Sequence, residues 1–145
     1  MKALIQRVSS AHVEVEGKII GEIDKGLLVF VGIEKRDDRL LANKMVNKIL
    51  SYRVFPDTKG KMNLSVNDIK GEILIVSQFT LAADTNNGTR AGFSTAKSPQ
   101  EAEIIYNHMI EKFELSSAKV EKGIFAANMR VALVNDGPVT FLLKC

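Results

Sequence analysis

Two strongly apolar segments constrain the fold of this chain more than any other feature. The first covers residues 26–33 and lies between glycines, while the second covers residues 72–79. The first segment is short, rich in β-branched residues and free of polar residues, which is typical of a strand buried on both faces. A strand of this kind must be covered by other elements on each side. We therefore predict a sheet with apolar inner strands and helices packed against it.

The remaining elements follow from local patterns. Apolar and polar residues alternate through residues 11–16 and again through residues 19–23, and the Gly17-Lys18 pair between them predicts a β-hairpin. Apolar residues at helical spacing predict one helix from Asp37 or Asp38 to about Tyr52. Further strands are expected near residues 120–125, 129–134 and 139–143, with a turn at residues 136–138.

A second helix is predicted from the capping signals around Ser98. Ser98 should be its N-cap, Pro99 its first residue and Glu101 the acidic member of a capping box. With no repeat, linker or composition boundary in 145 residues, residues 1–145 are predicted to form a single domain. We predict the α+β class: one strand-rich domain with barrel-like sheets, covered by two main helices.

Composition excludes several kinds of chemistry. Cys145 is the only cysteine, so no internal disulfide can form. The two histidines, His12 and His108, both fit structural positions, and no cluster of metal-ligating residues is present. The motifs of a P-loop, a dinucleotide site and a Gly-x-Ser-x-Gly elbow are also absent. We therefore expect no cofactor and no metal, and catalysis by hydroxyls, backbone groups or the substrate itself.

Charge and hydropathy bear on location and partners. No apolar stretch approaches the roughly 20 residues that cross a bilayer, and the first residues do not resemble a signal peptide, so a cytoplasmic protein is expected. Residues 34–61 include eight basic and four acidic residues. This stretch could contact phosphates, or it could be a solvated helix face.

Two polar segments are candidates for a site. Ser77, Gln78, Phe79 and Thr80 follow the apolar run of the second inner strand, and the ends of rigid strands commonly carry functional groups. The alternative is a strand that merges into a loop. In residues 135–140, glycine permits close approach of the backbone to a ligand, although the pattern alone equally fits an ordinary turn between strands.

Together these segments resemble the D-aminoacyl-tRNA deacylase family. Four further segments look like that family in the same order, and they cover residues 1–8, 26–29, 60–65 and 83–85. The resemblance implies hydrolysis of the ester that joins a D-amino acid, or glycine, to the 3′ end of tRNA. It also implies a homodimer with sites at the subunit interface, and no DNA or membrane partner.

The resemblance assigns roles to particular residues. Ser77, Gln78, Phe79 and Thr80 would line the pocket for the 3′ end of the charged tRNA. Substrate binding and chiral selection would depend on a second set: Asn135, Gly137, Pro138, Arg7 and Met129. In relatives the Gly-Pro pair is cis and reaches into the neighbouring subunit's site, where it would reject L-amino acids.

The catalytic route stays open between two alternatives. Thr80 could act as a nucleophile, but a threonine hydroxyl is weak without an adjacent base, and the sequence offers none. Alternatively, the neighbouring ribose hydroxyl could activate water, with backbone amides stabilising the oxyanion. We favour the second route.

The chain departs from the family between residues 82 and 93. Ala82 replaces a common tyrosine, and Asn86-Asn87 replace a basic pair. This places the contribution of the loop to tRNA binding in question. The rival functions are a nucleic-acid-binding module without hydrolysis, an esterase for another small acyl ester, and a sister deacylase with relaxed chirality.

Overall fold

The computed structural model describes residues 1–145 and contains eight strands, two α-helices and one 3₁₀ turn. The strands are β1 (Lys2–Val15), β2 (Lys18–Ile23), β3 (Gly26–Gly32), β4 (Phe55–Pro56), β5 (Met62–Leu64), β6 (Glu72–Ser77), β7 (Lys119–Lys122) and β8 (Arg130–Lys144). The helices are α1 (Arg39–Ser51) and α2 (Pro99–Glu114), and the 3₁₀ turn is Phe79–Ala82.

The main sheet has the order β2-β1-β3-β6-β7, and β8 pairs with β1 as well. Strands β3, β6 and β7 run parallel, so their carboxyl ends meet at one edge of the sheet. All residues of β3 except Phe30 are buried, as are the four central residues of β6. Both apolar segments are therefore inner strands, as predicted.

The sheet curls into a shape close to a barrel because β1 changes partners along its length. Its first half pairs with β3 and its second half with β2, with register shifts against β8 between the halves. A Cβ at Gly21 of β2 would lie 3.0 Å from the carbonyl oxygen of Lys122 in β7. The absence of a side chain at Gly21 thus lets the two strands approach. Seven buried residues fill the interior: Val8, Ala11, Val13, Ile23, Leu28, Leu74 and Val76.

The two helices cover the opposite face of the sheet with a larger core of 24 buried residues. Helix α1 is capped by Asp38, whose carboxylate accepts a hydrogen bond from the amide of Leu41 at 2.8 Å. Tyr106 of α2 is buried, and its hydroxyl donates to the carbonyl oxygen of Ile75 at 2.9 Å. The predicted α+β class, with a barrel-like sheet and two helices, is confirmed.

The capping box predicted for α2 is wrong, although the helix does begin at Pro99. The side chain of Ser98 makes no capping bond; its hydroxyl donates instead to the carboxylate of Glu101. A hydrogen bond to a charged acceptor is strong, and the side-chain orientation that makes it leaves the hydroxyl oxygen without a bond from the backbone amides of the first turn.

The turn predicted at residues 136–138 is also wrong. Residues 130–144 form one strand that keeps its direction along β1. Asn135 pairs with Val8 and Thr140 with Gln6, so four residues bulge outward opposite Arg7 alone. The sequence on both sides of the bulge pairs with the same strand, and the chain therefore does not reverse. We call residues 136–139 the β8 bulge.

Two strand boundaries also differ from the predictions. Strand β6 ends at Ser77 rather than at residue 79, and the 3₁₀ turn begins at Phe79. Strand β7 ends at Lys122 rather than at residue 125. Strands β4 and β5 form a short hairpin that local patterns did not predict. Neither helix is long and apolar enough to span a membrane.

The amino terminus is held by a buried carboxylate. The α-amino group of Met1 donates to Asp37 and to Glu34, each at 2.8 Å, and Asp37 is only 5% exposed. Burial alone lowers the pKa of this amine, but the hydrogen bonds and charges of Asp37 and Glu34 together raise the pKa above its ordinary value of 8.0. The ion pair therefore stabilises the fold while the amine stays protonated.

We expect Asp37→Asn to lower the free energy of unfolding by about 2 kcal/mol at neutral pH, because a charged hydrogen-bond acceptor is lost. A raised pKa in the folded state gives stability that is present below pH 8 and lost as pH rises through that pKa. Urea denaturation at increasing pH should therefore show the wild type and the variant converging under alkaline conditions. A constant difference from neutral to alkaline pH would contradict this account.

Candidate active site

A cavity of about 470 Å³ opens where the parallel strands β3 and β6 end. Val31 of β3 and Ser77 of β6 form one wall, and the first turn of α2, with Pro99 and Ala102, forms another. The segment between β7 and β8 closes the third side, from Phe125 to Met129. Clefts at the carboxyl ends of parallel strands are common ligand sites.

Ser77, Gln78 and Phe79 all line this cavity, whereas Thr80 lies outside its wall. The amide of Gln78 donates to the carbonyl oxygen of Val31 at 2.8 Å, which fixes the end of β6 against β3. Phe79 is 63% exposed, and its ring lies 5.1 Å from that of Phe93 between centroids. The strand end thus presents the residues that the sequence predicted there.

The hydroxyl of Thr80 has an amide as its partner. The side-chain nitrogen of Gln78 donates to Thr80 Oγ1 at 2.5 Å. An amide group is not a general base, so this contact does not activate the hydroxyl as a nucleophile.

The 3₁₀ turn leaves two backbone amides beside the cavity without an intrahelical acceptor. The first hydrogen bond of the 3₁₀ turn runs from Leu81 to the carbonyl oxygen of Gln78. The amides of Phe79 and Thr80 precede it, at the start of a helical turn where N–H groups have no intrahelical partner. They are therefore free to donate to an oxygen atom of a ligand.

Close packing against Gly32 fixes the position of this turn. A Cβ added at Gly32 would lie 2.6 Å from Leu81 Cβ, 3.1 Å from the amide nitrogen of Ala82 and 3.2 Å from the carbonyl oxygen of Gln78. The end of β3 thus supports the turn directly, and only glycine leaves enough room.

The β8 bulge is held by Arg7 and Asn135. The guanidinium of Arg7 donates to the carbonyl oxygen of Asp136 at 3.0 Å and pairs with its carboxylate at 3.2 Å. A further bond joins Arg7 to the carbonyl oxygen of Val54 at 2.7 Å. The side-chain amide of Asn135 donates to the carbonyl oxygens of Arg7 and Val139, each at 3.0 Å. These bonds pin both ends of the bulge to β1.

The peptide bond between Gly137 and Pro138 is cis, and Gly137 has φ +128°. Neither residue lines the cavity of its own chain. Arg7, which lies opposite the bulge, pairs with Leu27, whereas the cavity begins at Val31 of the same strand. Four residues of strand span about 13 Å. Within one chain, Gly137 and Pro138 therefore lie apart from Ser77, Gln78 and Phe79.

Met129 lies on the wall of the cavity and not in the β8 bulge. Its sulfur is 2.6 Å from the position that a Cβ at Gly123 would occupy, so it packs directly on that backbone. Of the five residues predicted for substrate binding and chiral selection, Met129 alone adjoins Ser77 and Gln78 along the cavity wall.

A family model described as D-Tyr-tRNA(Tyr) deacylase matches residues 4–144 of this chain. The chain belongs to this family. This match confirms the resemblance that the ordered motifs indicated. Members of the D-Tyr-tRNA(Tyr) deacylase family hydrolyse the ester bond of aminoacyl-tRNA.

Individual relatives agree with this assignment. The D-aminoacyl-tRNA deacylase of Vibrio cholerae is 56% identical over 144 residues and covers 99% of each chain, and that of Pseudomonas paraeruginosa is 53% identical over the full length of both. A solved structure titled c-Myc DNA Unwinding Element Binding Protein has a TM-score of 0.95 at 40% identity, covering 100% of this chain and 99% of its own. A probable eukaryotic D-amino acid tRNA deacylase shares the fold, with a TM-score of 0.83 at 16% identity over 98% and 97% of the two chains.

Several residues of this deacylase-family pocket were not predicted. Lys97 lies on the cavity wall, and so does the segment 125–128, which the sequence suggested only as the connection between two strands. No local pattern marks these residues, because their position depends on how the sheet curls. Lys97 could have been noticed as the one cation that directly precedes the capping signals of α2.

Proposed function

We propose that this chain hydrolyses the ester bond between a D-amino acid, or glycine, and the terminal ribose of tRNA, and that it rejects L-amino acids through Gly137-Pro138. Membership of the deacylase family supports the reaction. The observation that carries the proposal is the pair of amides that start the 3₁₀ turn, from Phe79 on the cavity wall and from Thr80 next to it. The finer claims on glycine and chirality rest on the resemblance and on the geometry of the β8 bulge.

The reaction needs a stabilised oxyanion more than a strong nucleophile. Water attacks the ester carbonyl carbon, and negative charge develops on its oxygen, where preorganised amides stabilise the transition state. The bond to the ribose oxygen then breaks, and that oxygen takes up the proton that the water has lost. Free tRNA and the amino acid are the products. The amides of Phe79 and Thr80 are suited to hold the oxyanion.

The water is activated by the substrate in this proposal. Lys97 is the only side chain with an ionisable acid or amine on the cavity wall, and its Nζ donates to the carbonyl oxygen of Lys35 at 2.9 Å. The backbone of Lys35 thus holds this amine, and we assign it no role as a base. The ribose hydroxyl beside the ester lies within reach of the attacking water in any bound substrate, and it can relay the proton.

We expect Thr80→Ala to keep kcat within about threefold of the wild type, because Thr80 supplies its backbone amide and not its hydroxyl. Single-turnover deacylation of D-tyrosyl-tRNA measures this. Ser77→Ala serves as the paired variant, since its hydroxyl also adjoins the cavity. A loss of about 1,000-fold or more for Thr80→Ala, as expected for an essential nucleophile, would restore the alternative route.

The chiral selector is proposed to come from a second copy of the chain. Strand β8 pairs only with β1, and Val134, Phe141 and Leu142 on it are exposed at 57%, 37% and 49%. Exposed apolar side chains along an unpaired edge are typical of a subunit interface. In a homodimer built on this edge, the partner's β8 bulge completes the cavity that its own chain leaves incomplete.

Chirality then follows from steric exclusion. The carbonyl oxygens of Gly137 and Pro138 would bind the substrate's amino group and occupy the space that an L side chain needs. A D side chain points away from them, and glycine has no side chain to exclude. Selection of this kind does not depend on which side chain the D-amino acid carries.

Loss of labelled amino acid from D-tyrosyl-tRNA and from glycyl-tRNA tests the reaction. We expect the purified protein to hydrolyse both, with turnover proportional to protein concentration. Binding of either RNA without release of the amino acid would instead indicate a binding module. A parallel titration with double-stranded DNA tests our prediction that DNA is not a partner.

A further inference from the structure

We propose that Lys35, Arg36 and Lys97 form a phosphate-binding rim that holds the single-stranded 3′ end of tRNA by its backbone. We call these three residues the basic rim. The inference rests on the proposed function, because the ligand is the nucleotide chain that leads into the cavity. It assigns the RNA contact to the start of the long basic stretch and not to the atypical loop at residues 82–93.

Backbone contacts place the basic rim beside the cavity. Glu34 and Ala96 form an isolated antiparallel bridge, and the amide of Lys35 donates to the carbonyl oxygen of Thr95 at 2.9 Å. Lys97 lies on the cavity wall, and its Nζ reaches the carbonyl oxygen of Lys35 at 2.9 Å. The turn after β3 is thereby tied to the segment that forms the mouth of the cavity.

The positive charge of the basic rim has no partner within the chain. Lys35 and Arg36 are exposed, and neither they nor Lys97 lie within 4.0 Å of a carboxylate oxygen. The nearby acids have other partners: Glu34 and Asp37 bind the α-amino group of Met1, and the carboxylate of Asp38 accepts from the amide of Leu41. Uncompensated cations at the mouth of a cavity raise the local concentration of anions.

The rest of the basic stretch lies elsewhere. Lys59 and Lys61, at the end of this stretch, lie in the β4–β5 hairpin, which follows Val54, a hydrogen-bond partner of Arg7. Lys59 and Lys61 are equally exposed and also form no salt bridge. Net charge alone therefore does not distinguish the two pairs, but only the pair with Lys35 is tied to the cavity wall of its own chain, through Lys97.

The substrate's geometry fits this arrangement. The ester at the terminal ribose must enter the cavity for hydrolysis, so the nucleotides that precede it pass over the mouth, each with one phosphate. A cation at this mouth releases counterions from the RNA when it binds a phosphate, and binding then weakens as salt concentration rises. Lysine and arginine contacts of this kind hold any sequence equally well.

The test compares two double variants on two substrates. Lys35→Gln with Arg36→Gln removes two charges of the basic rim and leaves the backbone bond to Lys97 intact. Lys70→Gln with Lys112→Gln removes the same charge and is the matched control. Lys70 precedes the amino end of β6, at the sheet edge opposite the cavity, and Lys112 lies about 20 Å of helix beyond Pro99 on the cavity wall. The substrates are D-tyrosyl-tRNA and the D-tyrosyl ester of adenosine, which has no phosphate.

We expect kcat/KM of the rim variant on D-tyrosyl-tRNA to fall about tenfold at low salt. The variant's slope of log kcat/KM against log salt concentration should become less negative by about 1.4, because two phosphate contacts are lost. Its activity on the adenosine ester should equal that of the wild type. The control should match the wild type on both substrates. An equal loss on both substrates, or an equal loss in the control, would contradict phosphate binding by the basic rim. If the wild type hydrolyses neither substrate, it is the proposed function that fails.

Discussion

Gly137→Ala is expected to lower kcat/KM for D-tyrosyl-tRNA by about 100-fold or more, because small displacements of positioning groups cost this much. Gly137 has φ +128°, a conformation that residues with a side chain rarely adopt, and an added Cβ would lie 2.8 Å from both Arg7 Nη2 and Val139 Cγ2. The β8 bulge must therefore change shape, and the carbonyl oxygens proposed to hold the substrate's amino group move with it.

Gly17→Ala is the matched control for this variant. Gly17 also has a positive φ, +78°, but a Cβ there meets nothing within 4 Å. Its hairpin turn follows Val15, about 26 Å of strand beyond Arg7 and the β8 bulge. Both variants carry backbone strain, so equal losses of stability with unequal losses of activity would identify the bulge as part of the site. Full activity and full selectivity in Gly137→Ala would mean that the selector has been assigned to the wrong residues.

Gly32→Ala should lower kcat by a comparable factor, because it displaces the 3₁₀ turn at the end of β6. Its Cβ would meet Leu81 Cβ at 2.6 Å, which forces the 3₁₀ turn away from β3. The amides of Phe79 and Thr80 would leave the position of the oxyanion, and loss of one such donor lowers kcat by about 100-fold to 1,000-fold. Single-turnover rates at saturating enzyme measure this directly, and KM should change much less than kcat.

Gly92→Ala is the control for the second variant. It lies in the loop near the site, but its Cβ would find only one neighbour, at an ordinary distance of 3.8 Å. We expect wild-type kcat there. If Gly32→Ala also kept wild-type kcat while folding normally, the amides of this turn would not be the oxyanion donors.

Local patterns predicted the inner strands, both helices and the polar end of β6 because each depends on nearby residues. The apolar runs that form β3 and β6 and the Asp38 cap of α1 all belong to this kind. The capping signal at Ser98 failed because another contact of the same side chain determines its orientation. Ser98 binds the carboxylate of Glu101 rather than the backbone.

The site itself depends on contacts between residues distant in sequence. Residues 136–138 have the composition of a turn, yet the flanking segments both pair with β1, and this pairing converts the turn into a bulge. Lys97 and the segment 125–128 reach the cavity only because the sheet curls. The roles of Gly137 and Pro138 came from the family resemblance, since no pattern in this chain indicates them.

The most direct test is the rate of ester loss from D-tyrosyl-tRNA and L-tyrosyl-tRNA, prepared on the same tRNA and measured at equal enzyme excess. We predict that the D-ester is hydrolysed at least about 100-fold faster, which corresponds to about 2.7 kcal/mol of transition-state discrimination. Hydrolysis of the two esters at equal rates would contradict chiral selection by Gly137-Pro138, and faster loss of the L-ester would contradict the proposed function as a whole.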